Sequence, residues 1–178
     1  CVNFLEGMFA FAVWDSRQQV LLIARDRFGE KPLFYTQLDK SFAFASELPA
    51  LLCNPDIQRD LDYFALSLYL SLSYIPAPST AYANVLKLLP GHLLLWHNER
   101  LICKPYWHPE FTPKCKHNFE QAVTEVARKL SQSVGLRLES DVSVGAFLSG
   151  GIDSSLVVAM AQQNCDTPLQ TFSVGFED

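Results

Sequence analysis

A chain of 178 residues is long enough for one extended domain or two small ones, at about 100–200 residues per domain. Hydrophobic residues make up 49% and charged residues 19%, which supports a real core and excludes a disordered chain. Lys+Arg 14 against Asp+Glu 19 gives a formal charge of -5; that balance excludes a nucleic-acid binder working through a broad basic face, because phosphate affinity comes from Lys and Arg releasing counterions.

The first half reads as strands. Met8 to Trp14 is apolar and aromatic-rich, closed by Asp15-Ser16-Arg17, and a second run spans Val20 to Ala24. Phe34 to Thr36 and Ser41 to Ala45 follow, joined through Leu38-Asp39-Lys40. Short β-branched and aromatic runs between polar turns predict an antiparallel meander, with Phe9, Phe11 and Trp14 in the core. A charged loop, Ala24 to Leu33, lies between the second and third strands and is punctuated by Gly29 and Pro32. Its Arg25-Asp26 pair is expected to fix backbone through an ion pair and hydrogen bonds. Glu47 is expected to begin a short helix as a dipole partner. A helix is predicted from Asp62 to about Leu72, with Asp60 or Asp62 near its N-cap, ending before Pro76 and Pro78. A last hairpin uses Gly91 to Trp96 and Arg100 to Lys104, with His97-Asn98-Glu99 at its tip. The stretch Pro105 to Lys116, with three prolines, is the expected boundary between domains 1–109 and 110–178.

The second half changes period. Asn118 can cap a helix with Gln121 as capping-box partner. Phe119, Val123, Val126, Leu130 and Val134 recur at three- and four-residue steps and predict one apolar helix face. Val142 to Leu148 is an almost uninterrupted apolar run, the pattern of a strand covered on both faces. Ser149-Gly150-Gly151 breaks it, Ser154 to Gln163 is helix-compatible, Asp166-Thr167-Pro168 turns, and Leu169 to Val174 is a second strand. Strand, helix, strand at this length is a βαβ unit and the start of a parallel sheet. Two strands and two helices bury too little for a complete α/β domain, so the chain is expected to be truncated.

No apolar stretch reaches the ~20 residues of a membrane span, and no signal-peptide pattern opens the chain. The chain therefore reads as soluble and cytoplasmic, with neither nucleic acid nor membrane as partner. Cys1, Cys53, Cys103, Cys115 and Cys165 never form a C-x-x-C pair, and the four histidines show no H-x-x-x-H spacing, which argues against a disulfide framework and a His/Cys metal site. The thiols are expected to be reduced and to serve as small apolar fillers.

The chemistry concentrates at Leu148-Ser149-Gly150-Gly151-Ile152-Asp153-Ser154-Ser155, between a strand and a helix. Glycines let an anion approach the amides, and the helix start offers unpaired N–H groups, so a phosphate is stabilised without lysine. Ser149, Ser154 and Ser155 add hydroxyl donors, and Asp153 suits a Mg²⁺ bridging phosphate oxygens. No Lys follows the glycines as a Walker A loop needs. Phe147 stands where a serine nucleophile elbow needs glycine. An ordinary strand–turn–helix joint, in which glycine and capping serines are common, stands on local physics as an equal alternative.

Ser149 to Ser155 resembles the S-G-G-x-D-S-S pyrophosphate loop of the PP-loop ATP pyrophosphatases. The lead-in Arg137-Leu138, Ser140-Asp141-Val142 and Val144 to Leu148 resembles the glutamine-hydrolysing asparagine synthetase branch. The first half resembles the class II (N-terminal-nucleophile) glutaminase domain of the same enzymes, through Gly7 to Asp15, Ala24 to Leu33 and Phe44-Ala45-Ser46-Glu47. Leu88 to His92 and Tyr106-Trp107 match the joint between the two domains. Departures are Ser143 and Leu89 where proline is usual, and Ile152 for leucine. The fold implied is α+β, a partial antiparallel glutaminase, followed by α/β, the start of a Rossmann-like PP-loop sheet.

The resemblance implies ammonia release from glutamine, Mg-ATP adenylylation of the aspartate side-chain carboxylate with loss of pyrophosphate, and displacement of AMP by ammonia. Leu148, Ser149, Gly150 and Gly151 would line the nucleotide and phosphates, Asp153 would serve Mg²⁺, Ser154 and Ser155 the pyrophosphate, and Val174 would lie against adenine. The partners implied are the small molecules glutamine, aspartate and ATP, with room for a homodimer. Cys1 to Leu5 matches a segment inside the glutaminase domain, so the nucleophile is expected upstream and Cys1 is not assigned to it; this segment alone is expected to catalyse neither half-reaction. Two alternatives stand beside this reading: an amidotransferase acting on another carboxylate acceptor, and a non-catalytic nucleotide-binding remnant.

Overall fold

The aromatic and small apolar residues after Met8 form strand β1 (Ala10–Asp15). The Asp15 carboxylate then accepts the N–H groups of Arg17 and Gln18, at 2.9 and 3.1 Å, and turns the chain into β2 (Val20–Arg25). This is the local capture of backbone that favours aspartate in turns. The two strands pair antiparallel, with Ala10 opposite Arg25 and Asp15 opposite Val20. The second hairpin is β3 (Phe34–Gln37) with β4 (Phe42–Ala45), and the last is β6 (His92–His97) with β7 (Arg100–Pro105). Asn98 and Glu99 at that last tip take positive φ values of 48° and 59°, the twist that suits a two-residue hairpin turn.

The expected single meander is corrected by the pairing. β2 takes β6 on its free edge, giving the order β1-β2-β6-β7, while β3 sits between β4 and the short β5 (Leu86–Lys87) in a second sheet. The charged loop between β2 and β3 folds around Asp26 instead of closing a hairpin, so it delivers the chain to a different sheet. Ile23, Leu33, Leu88 and Leu94 are buried between the sheets, with Tyr35 and Phe42 packed against them from the second. Each fully buried Ile or Leu contributes about 1.5–3 kcal/mol. A second cluster packs Leu51 of helix α1 (Leu48–Leu51) with Ile57 and Val85. Glu47 is the N-cap of α1 but makes no side-chain capping bond. Helix α2 (Tyr63–Leu72) is capped by Asp62, whose carboxylate accepts the Ala65 N–H at 3.0 Å. Trp14 is half exposed rather than buried in the core, because β1 is an edge strand with an open face.

The computed structural model describes residues 1–175 and comprises two units, the first spanning Cys1–Glu110 and the second beginning at Phe111. In the second unit, α3 (Phe119–Arg137) opens with a complete capping box: the Gln121 N–H donates to Asn118 Oδ1 at 2.9 Å, and the Asn118 N–H donates to Gln121 Oε1 at 3.1 Å. Strand β8 (Gly145–Phe147), helix α4 (Ile152–Gln163) and strand β9 (Gln170–Phe172) make the βαβ unit, with the strands parallel and Phe147 opposite Phe172.

Burial here departs from the sequence pattern. Of the apolar stripe on α3 only Val134 is buried, while Phe119, Val123 and Val126 are exposed. The C-terminal end of α4 meets α3 near Ser131 and Gly135 through Asn164, so the stripe is covered only towards its C-terminal end. The run Val142 to Leu148 is likewise not covered on both faces, since Val142 and Phe147 are 75% and 80% exposed. All five thiols are free, but Cys1, Cys53, Cys103 and Cys115 are exposed and Cys165 half-buried, so they are not core fillers. Among the described residues no helix is long and apolar enough to cross a membrane.

Candidate functional site

Leu148 extends the β8–β9 ladder by one bond, its N–H donating to the Phe172 carbonyl at 2.8 Å. The chain then turns at Gly150, whose φ of +80° lies in the left-handed region; a Cβ there would meet nothing within 4 Å, so conformation rather than space selects glycine. Gly151 is the N-cap of α4 and provides no side-chain cap. The hydroxyls of Ser154 and Ser155 donate back to the Gly151 carbonyl at 3.1 and 2.8 Å, and the Ser149 and Ser154 hydroxyls lie 3.0 Å apart. The N–H groups of Ile152, Asp153 and Ser154 make no hydrogen bond with the described residues. Three donors at the positive end of a helix dipole, beside three hydroxyls that are held by local hydrogen bonds, have the chemistry to accept an anion.

The residues singled out in the sequence gather at one edge. Leu148, Ser149, Gly150, Gly151, Asp153, Ser154 and Ser155 form one turn after the carboxyl end of β8, and Val174 follows the carboxyl end of β9, which runs parallel to it. Val174 is 77% exposed, and Asp153 is exposed on the first turn of α4. A cleft of about 310 Å³ between Leu138–Val144 and Cys165–Gln170 sits at the amino ends of the two strands, away from this turn. Ser173 was not among the residues singled out, yet its hydroxyl donates to the Leu148 carbonyl at 2.6 Å. The available signal was its place immediately after a parallel strand.

The other polar concentration is the turn after β2. Asp26, 1% exposed, accepts the N–H groups of Phe28 and Glu30 on Oδ1, at 3.1 and 2.9 Å, and those of Lys31 and Phe9 on Oδ2, at 3.0 and 3.4 Å. Burial alone would raise its pKa, but the four backbone donors outweigh that and hold the carboxyl below its ordinary value. Arg25 donates to the carbonyls of Lys31, Leu88 and Gly29, at 2.7, 2.5 and 2.6 Å, and burial pulls its pKa down against the opposing charge of Asp26. The two side chains do not form the expected ion pair; each holds backbone separately. Gly91 closes the hub. Its N–H donates to the Asp26 carbonyl at 2.9 Å, its φ is +65°, and a Cβ would stand 2.6 Å from the Trp107 carbonyl oxygen. The Tyr106 hydroxyl completes it by donating to the Arg25 carbonyl at 2.7 Å.

Residues 1–107 match the family model described as the glutamine amidotransferase domain. The chain belongs to this family. The hub around Asp26, with β1 to β7, therefore forms part of a glutamine amidotransferase domain, and the antiparallel sheets followed by a βαβ unit have the fold class that the resemblance implied. Residues 125–178 match the family model described as asparagine synthase, so the 149–155 turn falls within that second match.

Relatives agree along the whole length. The chain is 38% identical to asparagine synthetase [glutamine-hydrolyzing] 3 of Bacillus subtilis, over 100% of this chain and 30% of the relative. It is 42% identical to asparagine synthetase [glutamine-hydrolyzing] 1 of the same organism, over 97% and 27%. It is also 37% identical to amidase chyE of Penicillium rubens, over 89% and 24%. The chain thus spans less than a third of the length of these relatives. Cys1 is an exposed free thiol in front of a 3-10 turn (Val2–Phe4), and its carbonyl accepts the Phe4 N–H at 2.9 Å.

Proposed function

We propose that this chain contributes the later glutaminase strands (1–109) and the first PP-loop βαβ unit (110–178) of a glutamine-dependent asparagine synthetase. One observation carries the reading: a glutamine amidotransferase match is followed, in one short chain, by an asparagine synthase match containing an anion-accepting turn at the carboxyl end of a parallel strand. The protein is then a cytoplasmic carbon–nitrogen ligase, with a homodimer as its assembly. The side-chain carboxylate of aspartate attacks the α-phosphorus of ATP and pyrophosphate leaves. Ammonia freed from glutamine attacks the acyl carbon of the adenylate, and AMP leaves with the oxygen.

The residues divide this work by their chemistry. The N–H groups of Ile152, Asp153 and Ser154, with the hydroxyls of Ser149, Ser154 and Ser155, bind the departing pyrophosphate, and Gly150 and Gly151 let it approach the backbone. Leu148 and Val174 line the nucleotide at the carboxyl ends of the strands, where open α/β sheets hold their ligands. Asp153 fits a Mg²⁺, which takes one or two carboxylates and completes its shell with phosphate and water oxygens. That fit is limited to a shared site: among the described residues no group of three or more His, Cys, Asp and Glu could hold a metal unaided. Bound there, the ion would neutralise charge on the phosphates. Cys1 has no part in the glutaminase reaction on this reading.

The test is pyrophosphate release by the intact protein supplied with ATP, glutamine and candidate acceptors. Release that requires aspartate, with AMP as co-product, is expected; equal turnover without aspartate, or ADP as product, would sink the proposal. A second reading keeps the ATP chemistry and changes the acceptor carboxylate. It draws on the similarity to a relative named amidase, about as high as that to the asparagine synthetases. Release driven by another carboxylic acid but not by aspartate would select it.

A further inference from the structure

The end of the β8–β9 ladder departs from a regular parallel pairing. With Phe147 opposite Phe172, Leu148 faces Ser173. A regular ladder would then have the Leu148 N–H donate to the Phe172 carbonyl and the Val174 N–H donate to the Leu148 carbonyl. The first bond is present at 2.8 Å. The second is replaced, because the donor that reaches the Leu148 carbonyl, at 2.6 Å, is the Ser173 hydroxyl. The Val174 N–H makes no hydrogen bond with the described residues, and the regular strand ends at Phe172.

We propose that Ser173 is a positioning residue for the nucleotide base: its hydroxyl takes over the Val174 rung of the ladder and so keeps the Val174 N–H available to the ligand. This rests on the nucleotide-binding reading above. An uncharged N–H donor suits an acceptor nitrogen or carbonyl of a heteroaromatic ring, and the exposed Val174 side chain offers an apolar flank to such a ring. It lies outside the turn, where the amides and hydroxyls suit phosphate. Without the Ser173 hydroxyl the Leu148 carbonyl loses its donor, and the donor that a regular parallel ladder supplies at this rung is the Val174 amide, which on joining the ladder would be lost to the base. The expected defect is therefore confined to ligands that carry a base.

The intact protein separates this role from a merely structural one through two ligands, Mg-ATP and inorganic pyrophosphate. Ser173→Ala should weaken Mg-ATP roughly five- to tenfold, the scale of one neutral hydrogen bond, and leave pyrophosphate affinity unchanged. Ser173→Thr keeps the hydroxyl and should restore ATP binding, whereas Ser173→Val, of the same shape without it, should not. The Thr/Val comparison gives the same contrast if the alanine variant folds poorly. Unchanged ATP binding in Ser173→Ala and Ser173→Val, or equal weakening of ATP and pyrophosphate, overturns the role of Ser173 while leaving the nucleotide site in place. Wild-type protein that binds no ATP overturns the nucleotide reading as well.

Discussion

At Asp26 four backbone N–H groups converge on a buried carboxylate of the chain itself, whereas at the start of α4 three N–H groups open to solvent beside serine hydroxyls. Both are glycine-containing turns that follow a strand. The difference is the source of the anion. A turn that supplies its own carboxylate satisfies its donors permanently and becomes part of the core. A turn that withholds one keeps its donors for an external anion, and loses little stability by it because water serves them meanwhile.

The largest effect that could break this comparison is at Asp26. Asp26→Ala should lower unfolding stability by about 3 kcal/mol or more, since it strands several buried donors at once; chemical denaturation of the variant measures it, and a loss below about 1 kcal/mol would mean that water fills the hub. The depressed folded pKa makes its contribution complete above the ordinary aspartate value of about 3.9, and lost as the pH falls through the lower folded value. Asp26→Asn should therefore flatten the acid limb of the stability profile below about pH 4.

Two glycines sharpen the contrast next. Gly91→Ala combines a positive φ with a Cβ 2.6 Å from the Trp107 carbonyl oxygen and should cost about 2–4 kcal/mol. Gly150→Ala meets no atom and should cost only about 1 kcal/mol in stability. It should nevertheless weaken pyrophosphate binding by the intact protein, as isothermal titration would read. Equal stability losses at the two positions would remove the distinction between a filled turn and an open one. The smallest effect is outside both turns. Asn118→Ala removes half of the α3 capping box and should cost about 1 kcal/mol, seen as earlier thermal loss of helical circular dichroism.

Local chemistry was legible in the residues. Asp62 and the Asn118–Gln121 box stand where the sequence put helix starts, and the hairpin ends fall within a residue or two of the apolar runs. What depends on distant chain was not. Nothing local says that β2 pairs with β6, whose Leu94 meets Ile23 across most of the first unit. An apolar run also reports what can be buried and not what covers it, so Trp14, Val142 and Phe147 were read as interior and are exposed. At Arg25 and Asp26 the capture of backbone was foreseeable, but the lack of a mutual ion pair follows from carbonyls at Leu88 and amides at Phe9 arriving from elsewhere. The turn at 149–155 was legible because glycine, serine and a helix start act within eight residues. The Ser173 contact was not, since it depends on the register of a strand 25 residues away.

The Tyr106-to-Arg25 bond, which spans 81 positions, has a consequence during synthesis. At a ribosomal rate of about 5–20 residues per second, Arg25 and Asp26 wait about 4–16 s before Tyr106 is even made. Until β6 and Tyr106 have been made, β1 and β2 lack the strand and the hydroxyl that hold them in the folded unit, and an isolated two-stranded hairpin is marginal in water. The order of translation thus makes this hub the last part of the first unit to close, and the interval before it closes is the one in which a chaperone would matter most.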